Sequence, residues 1–279
     1  MLKNKIKGIL LMFITALSLF VLAGCGGNQS SKQSKEKVVK VGICGSNDPE
    51  LEKVAKNLKK KGIKIKIVQF SDYSQPNTAL ANGEIDMNDF QTYTFQSDWN
   101  KKHKTNIVSI GETVVAPMSL FSKKIKNIKQ LKKGDKVAIP NDVTNEGRAL
   151  QLLQSAGLIE LNNRKIPSLR DITKNKVGIK ISSLDAGQTA KSLDDVTAAC
   201  VNSGVASDAK LNPQNAVYRE KITAKSKPYV NIISVNAKDK NNPTYNEISK
   251  AYRTKEIAAL IKTEFHGYEK AAWTYKVLQ

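Results

Sequence analysis

Residues 38–70 constrain the fold more tightly than any other stretch of this chain. Residues 38–44 read VVKVGIC, β-branched and apolar, which predicts a short strand. Ser46, Asn47, Asp48 and Pro49 form a helix start, capping side chains followed by a proline suited to the first turn. Leu51, Val54, Ala55 and Leu58 then recur at i, i+3, i+4 and i+7, one face of a helix that Gly62 stops. Residues 63–70, IKIKIVQF, read as the next strand. Strand, helix and strand within about 33 residues form a βαβ unit, and such a crossover implies parallel strands.

The alternation continues along the chain. We expect helices over 77–82, 90–103, 128–131, 145–156, 188–193 and 244–262, the last one long. Strands are expected over 85–88, 107–110, 114–121, 136–140, 177–181, 198–201 and 229–235. Alternating elements of this kind define an α/β fold. No repeat with a period of 20–50 residues is present, which argues against a solenoid.

The amino-terminal residues have a different logic. Lys3, Lys5 and Lys7 precede an apolar run over 9–23 interrupted only by Thr15 and Ser18, and Leu22-Ala23-Gly24-Cys25 follows. A membrane span needs about 20 apolar residues, so this shorter run with small residues at its end reads as a secretion signal. A cysteine at the cleavage point makes it the lipoprotein variant, residues 1–24 being removed and the Cys25 sulfur carrying diacylglycerol. Residues 25–37 then hold the lipidated cysteine and a Gly/Ser/Gln/Lys tether without apolar side chains. The expected location is the extracytoplasmic face of the cell membrane, anchored by lipid. Folding should begin near Val38, leaving about 240 residues for two modest lobes or one large domain.

The formal charge is +20, with lysines spread throughout rather than gathered in one patch. Behind a secretion signal this reads as a basic surface facing an anionic envelope, not as nucleic-acid binding. Besides Cys25 the chain has Cys44 and Cys200, both in apolar stretches, which reads as two small buried hydrophobes rather than a disulfide. His103 and His266 lie away from cysteine or carboxylate clusters with ligand spacing, so no metal site and no cofactor is expected. No Gly-x-Ser-x-Gly, phosphate-cradling loop or nucleophile-with-base arrangement is present, which favours a binding protein over an enzyme.

Two stretches stand out as candidate sites. Phe70, Tyr73, Phe90, Tyr93 and Phe95 gather within 26 residues; a lined pocket and an ordinary core are both open for them. Residues 140–150, PNDVTNEGRAL, place a strand end against a helix start, where open α/β sheets make ligand contacts. Arg148 falls there, in what reads as the first helical turn, where the helix dipole disfavours a cation. A bidentate grip on a ligand carboxylate would explain it; a surface arginine is the other reading.

These residues also carry a family likeness. Phe70-Ser71-Asp72-Tyr73, residues 75–80 (QPNTAL), 83–91 (GEIDMNDFQ), 139–150, 156–159 (AGLI) and 192–196 (SLDDV) together resemble the NlpA-type methionine-binding lipoprotein family, over residues 38 to about 262. The nearest likeness is to Gram-positive members, some of which hold a Gly-Met dipeptide. The resemblance implies a two-lobed, periplasmic-binding-protein-like fold of type II with ligand in the interlobe cleft, residues 38–117 plus 229–279 forming one lobe and 118–228 the other. It implies a receptor that delivers L-methionine or a methionyl dipeptide to the permease and ATPase of an ABC importer. Tyr73, Phe90 and Phe95 match the aromatic wall around the thioether, with Phe70 adjacent. Arg148 matches the arginine holding the α-carboxylate, and Asn145 and Asn202 match polar groups fixing the amino-acid backbone. Where the family has histidine after Phe90-Gln91, this chain has Thr92, which leaves free methionine, a methionyl dipeptide or another small apolar amino acid open as ligand. A surface lipoprotein of the same fold with altered or lost binding, acting as an adhesin or interaction protein, is the alternative.

Overall fold

The computed structural model describes residues 36–266 and 268–278. The leader, Cys25 and the tether as far as Lys35 lie outside the described residues. No helix among the described residues is long and apolar enough to cross a membrane.

The chain begins as read. β1 (Lys37–Cys44) leads into α1 (Pro49–Lys59), whose N-terminus is closed by Asp48 accepting the Leu51 N–H at 2.7 Å. Leu51, Val54 and Leu58 are buried on one face, and Gly62, at φ +75°, turns the chain into β2 (Ile63–Phe70). β1 and β2 are parallel in register from Lys37↔Ile63 to Cys44↔Phe70. Next come α2 (Gln75–Asn82), β3 (Met87–Thr92), α3 (Tyr93–His103) and β4 (Ile107–Val115). The chain then passes through β5 (Ser119–Phe121), β6 (Lys136–Pro140), α4 (Val143–Ser155), β7 (Ile159–Leu161), β8 (Ile172–Asn175) and β9 (Lys180–Leu184). α5 (Ala186–Thr189), β10 (Ala198–Val201), α6 (Ser203–Asp208) and β11 (Tyr218–Arg219) complete the middle of the chain. β12 (Val230–Asn236), α7 (Pro243–Tyr252), α8 (Lys255–Glu264) and β13 (Lys270–Ala271) follow.

These strands build two main sheets. The first has the order β13-β4-β12-β3-β1-β2 and the second β11-β5-β10-β6-β9; β7 and β8 form a separate pair. The first sheet therefore draws on the chain before residue 116 and after residue 229, and the second on the chain between. β12 inserts antiparallel between β3 and β4, so a strand from late in the chain completes a sheet begun at its start. Each sheet has its own core. Val39, Val41 and Ile43 pack against Leu51, Val54, Ile248 and Ile257 in the first. Val137, Ile139 and Cys200 pack against Leu150 and Leu153 in the second. Burying a leucine of this kind contributes about 1.5–3 kcal/mol. Two sheets with separate cores, joined by two chain crossings, make the two-lobed α/β architecture.

Several elements differ from the sequence reading. The strand expected at 85–88 lies at Met87–Thr92, and the helix expected from 90 begins at Tyr93. Pairing of Gln91 with Ile232 and Thr92 with Asn231 holds these residues extended, overriding their local pattern. The long helix expected over 244–262 is two helices broken at Arg253, with Thr254 capping α8 through the Ile257 N–H at 3.2 Å. Tyr252, Ile257 and Ile261 are all buried, so the apolar periodicity runs through the break and hides it. The strand expected at 177–181 lies at Lys180–Leu184, where Lys136 pairs with Lys180. The helix expected at 188–193 is split between α5 and a 3-10 turn over Lys191–Asp194. Cys44 and Cys200 are free thiols, one in each sheet, Cys200 buried and Cys44 half-buried.

Candidate functional site

A cavity of about 200 Å³ opens between the two sheets. Its walls come from the loop after β1, from β3 and the start of α3, from α4, and from the start of α6. Tyr73, Phe90, Thr92, Phe95, Asn145, Arg148 and Asn202 all line it. Residues as far apart in sequence as Tyr73 and Asn202 are thus brought to one space.

Phe70 is not part of the lining. It packs with Ala79, Leu80 and Ile85 behind the wall. Its ring lies so close to Gly42 that a Cβ there would sit 3.0 Å from Cε2. Phe70 therefore supports the wall from the core side.

The aromatic wall is a three-ring cluster. Tyr73 and Phe90 have centroids 6.0 Å apart, Tyr73 and Phe95 6.1 Å, and Phe90 and Phe95 5.6 Å. Phe95 meets both others edge-on, the arrangement the ring quadrupoles favour. Thr92 acts on its own helix: the hydroxyl caps α3 by accepting the Phe95 N–H at 3.2 Å, which helps to aim Phe95. Behind β3 lies an amide network. The Asn77 and Gln91 side chains exchange two hydrogen bonds at 2.8 Å, and Asn88 joins them at 2.9 Å. Asn77 and Asn88 are fully buried and Gln91 nearly so, so the network holds the strand between Phe90 and Thr92 in one position.

Arg148 differs from its sequence reading in two respects. α4 begins at Val143, capped by Asp142, so Arg148 lies beyond the first turn and the dipole penalty does not apply. Its bidentate partner is internal. Nε donates to Glu220 at 3.1 and 3.2 Å, and Nη2 donates to Glu220 at 2.6 Å and to the Ala116 carbonyl at 2.8 Å. The Tyr229 ring lies 4.7 Å beneath the guanidinium carbon. Only Nη1 is left without a partner among the described residues. Beside it, Asn145 donates to Asp142 at 3.0 Å and accepts from Asn202 Nδ2 at 2.8 Å. Asn202 Oδ1 is buried without a partner, an acceptor in want of a donor.

The cavity lining also holds an acidic group: Asp48, Glu50, Asp89 and Glu269. Burial pushes the Glu269 carboxyl up to about 7 although the Ser203 hydroxyl favours its charged form. Burial, and then Asp89, raise Asp48; burial, and then Asp48, raise Glu50. Burial likewise raises Asp89, opposed by the Thr113 hydroxyl, which donates to it at 3.3 Å. No three His, Cys, Asp or Glu side chains among the described residues are placed to hold a metal ion. Sequence reasoning missed this acidic group, and it missed Gln91, Asn231 and Glu220. The cap signature at Asp48 and the family-like stretch 83–91, which contains Asp89 and Gln91, were the signals that pointed toward any of them.

Comparison with known proteins places this geometry in context. The NlpA lipoprotein family model matches residues 39–273. The probable D-methionine-binding lipoprotein MetQ of Haemophilus influenzae is 36% identical over 271 residues, 94% of this chain and 98% of that protein. A nutrient binding protein from Burkholderia cenocepacia, solved bound to methionine, superposes with a TM-score of 0.79 at 39% identity, covering 84% of this chain and 99% of that one. The substrate binding protein of a methionine transporter from Streptococcus pneumoniae gives 0.80 at 35% identity, covering 84% and 95%.

Proposed function

Since the chain belongs to the NlpA lipoprotein family, we propose that it is a substrate-binding lipoprotein that captures L-methionine or a methionine-containing dipeptide for an ABC importer. The observation that carries this reading is one cavity with aromatic rings on one wall and a cation with amide groups on another. Thioether sulfur against aromatic edges contributes about 0.3–1.5 kcal/mol per contact. The α-carboxylate would meet Arg148 Nη1, and the α-ammonium would supply the donor that Asn202 Oδ1 lacks. Tyr73, Phe90 and Phe95 would surround the side chain, Thr92 acting through its cap on Phe95, with Asn145 holding Asn202 in place.

The lobes in this reading are residues 38–117 with 229–279, and residues 118–228. Ligand between them favours the closed arrangement, a hinge movement. Lipid on Cys25 would hold the receptor at the outer face of the membrane, where permease and ATPase form its partner. The proteins that the chain resembles include a probable D-methionine-binding lipoprotein and the substrate binding protein of a methionine transporter, and the receptor role needs no catalytic step.

The test is direct. The chain from residue 26 onward is purified and denatured, and any released small molecule is identified by mass spectrometry. Titration with L-methionine follows, for the native chain and for Arg148→Ala and Asn202→Ala. Saturable binding that both variants lose supports the reading; normal binding by both overturns the site. Failure of every amino acid and methionyl dipeptide to bind or to raise the melting temperature overturns the receptor role.

A further inference from the structure

We infer that Glu220 is a specificity-determining residue: an internal counter-ion that satisfies Arg148 beforehand and so lowers the cavity's demand for a free ligand carboxylate. The inference rests on the proposed placing of a ligand carboxylate at Arg148.

The geometry divides the guanidinium into two parts. Its Nε and Nη2 edge faces inward, toward Glu220 and the Ala116 carbonyl. The Arg148 and Glu220 side chains are only 5% and 20% exposed, so water does little to screen the pair. Glu220 also accepts the Met118 N–H at 3.0 Å. It thus sits where the two chain crossings meet and is held there by backbone as well as by arginine. Tyr229 stacks on the guanidinium from the second crossing and bonds Gln151, one turn further along α4, at 3.2 Å.

The chemical consequence concerns charge. An arginine with a free fork would offer an incoming carboxylate a bidentate grip and an uncompensated positive charge. Here the carboxylate meets one nitrogen of a cation that is already paired. Arg148 is also the one basic side chain among the described residues lining the cavity, and its charge is already met by Glu220. The field at Nη1 therefore pulls only weakly on an anion. A neutral carbonyl in the same place, from an amide or from a peptide extended at its carboxyl end, accepts the same hydrogen bond at little disadvantage. The ligand class widens from free amino acids to methionyl compounds with a blocked carboxyl group.

Glu220→Gln isolates the charge. Glutamine keeps an acceptor for the arginine, and the Ala116 carbonyl and Tyr229 ring still hold the guanidinium in place. The experiment compares calorimetric affinities for L-methionine and L-methioninamide, buffered so that both amines are protonated. We expect the native chain to prefer methionine by less than about tenfold, and Glu220→Gln to raise that preference at least about fivefold, because one unit of opposing charge beside the arginine is gone. Glu220→Asp, which keeps the charge, should stay near the native ratio. A native preference above about a hundredfold overturns the inference without any variant. So does a Glu220→Gln protein that melts lower but keeps the native ratio, since that shows a structural role alone. Arg148→Met distinguishes the underlying reading: if it leaves the ratio unchanged, the carboxylate does not lie at Arg148 and the site assignment itself has failed.

Discussion

Asn77→Ala probes the support beneath the aromatic wall. The Asn77 side chain makes three hydrogen bonds within the amide network: one donated to Gln91 Oε1 at 2.8 Å and two accepted, from Gln91 at 2.8 Å and from Asn88 at 2.9 Å. All three residues are buried. Truncation leaves Gln91 Oε1 with no side-chain donor and Asn88 Nδ2 with only the Pro76 carbonyl at 3.5 Å. Gln91 Nε2 keeps Asn88 Oδ1 at 2.9 Å. Each buried polar group left unsatisfied costs about 1–3 kcal/mol, so one full orphan and one poor contact predict a loss of about 2–5 kcal/mol. Urea unfolding followed by fluorescence, with native and variant slopes compared, measures it. Asn82→Ala is the control: its side chain bonds Glu84 in an exposed position and should cost under about 0.5 kcal/mol. A loss below about 1 kcal/mol for Asn77→Ala would refute the reasoning, because it would mean that the network relaxes or water replaces the lost partner. Methionine affinity should fall as well, since Gln91 lies between Phe90 and Thr92.

Three further outcomes follow from the geometry. Phe90→Ala should weaken methionine binding about tenfold by removing one ring from the wall, whereas Phe70→Ala, behind the wall, should lower stability while affinity changes less than about twofold; calorimetry and thermal melts separate the two. Burial raises Glu269, so the folded chain holds its proton more tightly than the unfolded chain does; that contribution is fully present below the unfolded value of 4.5 and is lost as pH rises through about 7. Stability of the native chain relative to Glu269→Gln should therefore decline between those limits, and a flat difference would count against the burial argument. Asp208, at the end of α6, accepts hydrogen bonds from the Ser46 hydroxyl at 2.7 Å and the Ser46 N–H at 3.2 Å, and so ties α6 to the loop after β1. Asp208→Ala should speed ligand release about two- to tenfold in stopped-flow displacement, with unchanged release showing that this contact does not hold the lobes together.

What was legible along the chain was what depends on near neighbours. The period of 3.6 at Leu51, Val54 and Leu58 and the cap at Asp48 are local, and the first βαβ unit formed as they require. The same local signals gathered Phe70, Tyr73, Phe90, Tyr93 and Phe95 as a group, with pocket and core both open, and marked Arg148 as a cation near a helix start. They could not tell that Phe70 faces the core, because one strand position decides which side of a sheet a ring takes. Nor could they place the end of β3, where pairing with β12, a strand some 140 residues later, keeps Gln91 and Thr92 extended. Glu220 is the clearest case of tertiary decision. It stands 72 residues from Arg148 in a stretch with no motif, and it meets the arginine only because two chain crossings run side by side between the sheets. Periodicity and capping report on side-chain direction within a turn or two. Which charge neutralises which, and what charge the cavity then offers a ligand, depends on strand order and on the crossings, and these exist only once both sheets have closed on their cores.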